Sequence, residues 1–190
     1  MGKYIIFEDN KKALAGLYGL LKREKTDKEF LLVKCDYNHN IPEEEAEEKE
    51  KEELQEYLQN EISKYELGAL PDMKIMLTGE NLLSTVLKES IPYKEDDILI
   101  MDITLYDAVD EAKDSFEEYV SVKLADKLVK SGKIMKKNVR FFTRASSRSD
   151  PSVFLEQTGG CWRVPVLRPH NFDSPGNEDE VKEFIDELIN

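Results

Sequence analysis

Three carboxylates stand directly after short apolar runs in this sequence: Glu8 and Asp9 after Tyr4-Ile5-Ile6-Phe7, and Asp102 after Ile98-Leu99-Ile100-Met101. Two further runs end in other polar types, Val139-Arg140-Phe141-Phe142 in Thr143 and Val164-Pro165-Val166-Leu167 in Arg168. Carboxylates drawn together raise one another's pKa unless a cation shares the site. Oxygen-only donors suit Mg²⁺, which takes few protein carboxylates and keeps several waters. A carboxylate beside such an ion can attack a phosphoryl group and form an aspartyl phosphate, and Asp102 is the candidate. Thr143 would hydrogen-bond a phosphoryl oxygen, and the Arg168 guanidinium would pair with it through two N–H groups. The expected site is therefore Glu8, Asp9 and Asp102 around Mg²⁺, with Asp102, Thr143 and Arg168 carrying the chemistry.

Such a site needs elements that bring those five ends together. Consecutive apolar residues suit strands covered on both faces, as in a parallel sheet. Phe30-Leu31-Leu32-Val33 is a further run of this kind. Helical spacing appears in Ala13, Leu14, Leu17, Leu20 and Leu21, again over about 114–130 (Phe116, Tyr119, Val120, Leu124, Leu128), and over about 177–190 (Val181, Phe184, Ile185, Leu188). Alternating strands and helices predict an α/β fold with a doubly wound parallel sheet, flavodoxin-like. In such a sheet ligands bind beyond the carboxyl ends of the strands, where the five polar residues stand.

The 190 residues predict one domain with an insertion at about 37–95. Within it, 43–66 is dense in Glu and Lys, with Leu54, Leu58, Ile62 and Tyr65 forming a narrow apolar stripe, so it reads as a long helix with an acidic first turn suited to the helix dipole. That helix is either a solvated structural element or a partner surface. Residues 73–77 suggest a strand and 80–88 a short helix.

Forty acidic against 27 basic residues give a formal charge of -13, and the densest basic stretch, 133–137, is short, which argues against direct nucleic-acid binding. No stretch is long and apolar enough for a membrane span, and the amino terminus runs straight into a strand pattern without the apolar region of a signal peptide, so a cytoplasmic protein is expected. Cys35 and Cys161 lack zinc-ligand spacing and read as buried reduced thiols. Ser146, Ser147 and Ser149 lie in a polar loop, and neither His39 nor His170 has a motif placing it beside a serine. Gly159-Gly160 lacks the Lys-Ser/Thr of a P-loop.

The motifs IIFEDN, LIMDITLYD, FFTRAS and VPVLRP, in that order, resemble the response-regulator receiver domain, with the insertion set aside. The resemblance implies a five-stranded parallel sheet in which Glu8 and Asp9 match the Mg²⁺-binding pair, Asp102 the phosphoacceptor, Thr143 the switch hydroxyl and Arg168 the family's lysine. The chain departs from the pattern at Arg168 itself. It also lacks the usual Pro and Gly in the loop after Asp102, has Arg144 where a small residue is usual, and carries Pro165 where many receivers have an aromatic. The expected function is a stand-alone receiver-like signalling domain acting through a histidine kinase or a downstream effector, either phosphorylated on Asp102 or as a degenerate version working by protein contact. The alternatives are a Mg²⁺-dependent phosphohydrolase of the haloacid-dehalogenase type, which has an Asp where this chain has Thr104, and an interaction scaffold built on helix 43–66.

Overall fold

Strands that are apolar on consecutive positions have no face to offer water, and the sheet they build here is covered on both sides. The computed structural model describes residues 2–24, 27–36, 43–77, 91–103, 105, 119–144, 166–167 and 178–189. Six parallel strands, β1 (Tyr4–Glu8), β2 (Phe30–Asp36), β3 (Asp72–Leu77), β4 (Ile98–Asp102), β5 (Val139–Arg144) and β6 (Val166–Leu167), form one sheet in the order β3-β2-β1-β4-β5-β6. The helices are α1 (Lys11–Glu24), α2 (Glu43–Tyr65), α3 (Val120–Lys130) and α4 (Glu178–Ile189). The fold is an α/β doubly wound parallel sheet, flavodoxin-like, with the inserted β3 added at the edge beside β2. The segment expected as a short helix, 80–88, lies outside the described residues, as do Cys161, Gly159, Gly160 and Trp162.

A right-handed strand-helix-strand crossover dictates which face each helix covers. From β1 to β2 to β3 the chain walks in one direction, so α1 and α2 share a face. It then returns across β1 to β4 and continues the other way, so α3 covers the opposite face. Strand side chains divide accordingly. Tyr4, Ile6, Phe30, Leu32, Ile100 and Phe142 pack against α1, α2 and α4, while Ile5, Phe7, Val33, Met101 and Phe141 pack against α3. Strand order reverses between β1 and β4, which makes the carboxyl ends of those two strands the expected ligand crevice.

The long inserted helix is fastened to the domain. Leu54 and Leu58 are buried, and Ile62 and Tyr65 pack against the same cluster as α1. The two helices meet so closely at Gly19 that a Cβ there would lie 2.9 Å from Glu61 Oε2 and 3.3 Å from Glu61 Cβ. The stripe seen in the sequence is thus largely consumed inside the domain. At its carboxyl end α2 closes with Glu66 in the left-handed region (φ 54°) and the Leu67 N–H donating to the Ile62 carbonyl at 3.1 Å, a Schellman arrangement in which glycine is the usual residue. Glu66→Gly should therefore raise stability by about 1 kcal/mol in urea unfolding, because it removes the cost of a side chain in that conformation. A fall in stability would show that the Glu66 side chain contributes more than its backbone strain costs.

Candidate metal and phosphoryl site

Phe7 pairs with Met101 across β1 and β4, so the next residues out, Glu8 and Asp102, are neighbours at the carboxyl edge of the sheet. Both are buried, and Asp9 is half-buried at the start of the turn. Glu8, Asp9 and Asp102 each bring one carboxylate oxygen within 4.8 Å of the others. The turn that follows uses a different residue for its helix cap. Asn10 Oδ1 accepts the Ala13 N–H at 3.0 Å, the standard bond from a cap side chain into the first turn, while Glu8 Oε1 accepts the Asn10 N–H at 2.8 Å. Helix initiation is thus carried by Asn10.

Asp102 also pairs with Phe142 on β5, so Thr143 occupies the next position outward on the neighbouring strand. Thr143 in turn pairs with Val166 on β6. Arg168 lies outside the described residues, as does Thr104. The structure therefore brings Glu8, Asp9 and Asp102 together and places the Thr143 backbone one strand over.

Sequence reading missed a second set of charges bordering this edge. Lys34, on β2 in register with Glu8, is only 3% exposed. Its ammonium donates to the Cys35 carbonyl at 2.8 Å and pairs with Glu50 Oε2 on α2 at 3.3 Å. Lys11, the first residue of α1, pairs with Glu50 Oε1 at 3.0 Å and with Glu53. The signal in the sequence was a lysine interrupting the apolar run of β2, but its partners come from an element distant in the chain. Burial alone would lower the Lys11 pKa, yet its hydrogen bonds to Glu53 and Glu50 outweigh burial and hold it above its usual value. The Lys11 hydrogen bond holds Glu53 below the ordinary carboxylate value, against a smaller effect of burial.

Asp97 marks the other end of β4. It is buried like Asp102, but both of its oxygens are used on backbone: Oδ1 accepts the Lys3 N–H at 2.9 Å and Oδ2 the Lys94 N–H at 2.8 Å. At the amino-terminal edge of the sheet, this carboxylate is a structural clasp.

Glu8, Asp9 and Asp102 offer carboxylate oxygens alone, a donor set of the kind that hard divalent cations such as Mg²⁺ take, and these three residues would hold one. Among the described residues no helix is long and apolar enough to cross a membrane. No protein-family model and no curated protein matches this sequence. Among solved structures the chain is similar to glucose-6-phosphate 1-dehydrogenase from Mycobacterium avium, with 11% identity and a TM-score of 0.44, over 87% of this chain and 35% of that one. The chain thus spans about a third of that protein's length, and a likeness at this level assigns no function.

Asp97→Ala strips two backbone N–H groups of their acceptor and should cost about 2 kcal/mol in urea unfolding. Asp102→Asn removes one charge from a crowded trio and should cost less; the reverse ranking would make Asp102 a structural residue. The ion pairs of α2 also predict a pH profile. Glu53 is depressed when folded, so its contribution is full above pH 4.5 and lost as pH falls through its lower folded value. Lys11 is raised, so its contribution is full below pH 10.5 and lost as pH rises through its higher folded value. The stability difference between the wild type and Lys11→Met should therefore be flat between these limits and shrink outside them.

Proposed function

We propose that this chain is a receiver-like signal-transduction domain in which Asp102 accepts a phosphoryl group beside Mg²⁺ held by Glu8, Asp9 and Asp102. The observation that supports this reading is the convergence of those three carboxylates at the point where strand order reverses. Carboxylates this close repel, and a divalent cation among them offsets that repulsion. When bound, Mg²⁺ would neutralise charge on the phosphoryl oxygens and the leaving group.

The chain's own residues perform the transfer. An Asp102 carboxylate oxygen attacks the phosphorus atom, an O–P bond forms, and the bond from phosphorus to the donor's leaving group breaks, with the electron pair departing on that group. Thr143, one strand over, is the hydroxyl assigned to a phosphoryl oxygen, and Arg168 is the cation assigned to the added charge. Ser121 ties the backbone next to the acceptor to α3: its hydroxyl donates to the Ile103 carbonyl at 2.7 Å, and the Ile103 N–H donates to the Phe142 carbonyl at 2.9 Å. A charge added at Asp102 therefore acts beside a hydrogen-bonded link to α3, a route by which a histidine kinase upstream is read by an effector downstream.

Incubation with acetyl phosphate and Mg²⁺ should add one phosphoryl group by intact mass to the wild type and none to Asp102→Asn. Absence of the adduct in the wild type, with Mg²⁺ binding intact, would leave a receiver-like domain that signals by protein contact. Absence of both would end the phosphoryl and metal readings together.

A further inference from the structure

The chain is acidic overall, with a formal charge of -13, yet between Val120 and Arg140 the one acidic residue is Asp126. Lys123, Lys127 and Lys130 stand at i, i+4 and i+7 on α3, a spacing that sets them on a single stripe, and all three are exposed. The helix closes with Gly132 in the left-handed region (φ 71°). The Gly132 N–H donates to the Val129 carbonyl and the Lys133 N–H to the Leu128 carbonyl, each at 3.0 Å, which is a Schellman arrangement. That turn keeps Lys133, also exposed, against the end of the helix, with its ammonium 5.8 Å from the centroid of the Tyr93 ring. We infer that this lysine stripe is a docking surface for an acidic segment of a partner protein. The claim stands on α3 itself. Naming that partner as an effector rests on the signalling reading, through the Ser121 hydroxyl that joins α3 to the Ile103 carbonyl.

Lysines in series destabilise a helix, because like charges three and four residues apart repel. Attraction to the negative end of the helix dipole offsets this for Lys127 and Lys130 in the last turn, but not for Lys123, the fourth residue from the positive end. Asp126 answers one charge, pairing with Lys130 at 2.6 Å. Among the described residues Lys123 and Lys127 have no carboxylate partner. The character of the face selects among anionic partners. Leu124, Ala125 and Leu128 are buried, and the exposed large apolar residues among those described, Tyr57 and Leu70, lie on other elements. A bilayer would thus find nothing on α3 to insert. The next arginine in the chain, Arg140, donates from Nη1 to the Lys137 and Val139 carbonyls, so the stripe offers ammonium point charges rather than a guanidinium fork for phosphate. A duplex or a membrane also extends past the stripe and meets the negative remainder of the chain, and a second copy brings the same negative charge. A short acidic segment stays within the screening length of about 8 Å around the lysines at physiological salt.

The test is fluorescence anisotropy of the full chain with a labelled helical peptide carrying glutamate at i, i+4 and i+7, at low ionic strength. The double variant Lys123→Glu with Lys127→Glu should bind the peptide about tenfold more weakly than the wild type, the size expected when two exposed charge pairs are reversed. Lys51→Glu, at an exposed lysine of α2, should bind nearly as the wild type does. The neutral pair Lys123→Gln with Lys127→Gln should lose affinity while keeping an unfolding midpoint close to that of the wild type, which separates docking from folding. Raising NaCl to about 0.5 M should abolish binding. A wild type that does not bind the peptide, or a charge-reversed variant that binds it equally well, overturns the inference. So does tighter binding of single-stranded DNA or of phosphatidylserine vesicles through the same lysines, or self-association in sedimentation that those substitutions abolish, because each gives the stripe another occupant. None of these measurements needs a phosphoryl group, so absence of the adduct at Asp102 would end the phosphoryl reading and leave the docking surface standing.

Discussion

Strand-helix-strand connections between parallel strands of one sheet are right-handed in nearly all proteins, so the direction in which the chain walks across the sheet decides what faces what. Two steps in the same direction, β1 to β2 and β2 to β3, put α1 and α2 side by side on one face. Had β3 been added at the far edge beyond β6, the inserted helix would lie away from Lys11 and Lys34. The reversal between β1 and β4 then opens the crevice in which Glu8 and Asp102 stand as neighbours. Site, ion-pair network and helix layers are thus consequences of one chiral constraint.

Burial separates the charges of this domain into kinds that exposure alone would not distinguish. Asp97 and Asp102 sit at opposite ends of the same strand and are both buried. Asp97 spends its oxygens on two backbone N–H groups, which is what a buried carboxylate needs in order to be structural. Asp102 instead stands among two other carboxylates at the end where parallel sheets bind ligands. Lys34 adds a buried cation next to that end, joined to α2 through Glu50. An ion pair of this kind contributes little net stability compared with apolar packing.

The insertion is integrated by three different interactions. Apolar contacts at Leu54 and Leu58 anchor it, the missing side chain at Gly19 lets α1 and α2 approach, and Lys11 and Lys34 bind its carboxylates. The outward face of α2 keeps the run of Glu and Lys that makes the helix soluble.

Strands β1, β2, β4 and β5 were legible in the sequence because a strand buried on both faces must be apolar at consecutive positions, and the acidic residues at two of their ends were legible for the same reason: they break the pattern. The 73–77 strand was a faint signal, since an edge strand carries Asp72 and Lys74 among its apolar residues and loses the contrast. Helix α2 could be read from its spacing, but not what covers its stripe, because periodicity shows that a face is apolar without naming its partner. The sequence by itself therefore determined the elements, the strand ends and the residue types available for chemistry. Tertiary structure alone decided that Glu8, Asp9 and Asp102 converge within 4.8 Å and that Lys11 and Lys34 share Glu50. Those contacts join residues far apart in the chain, and only the order of strands in the sheet and the handedness of their connections bring them together.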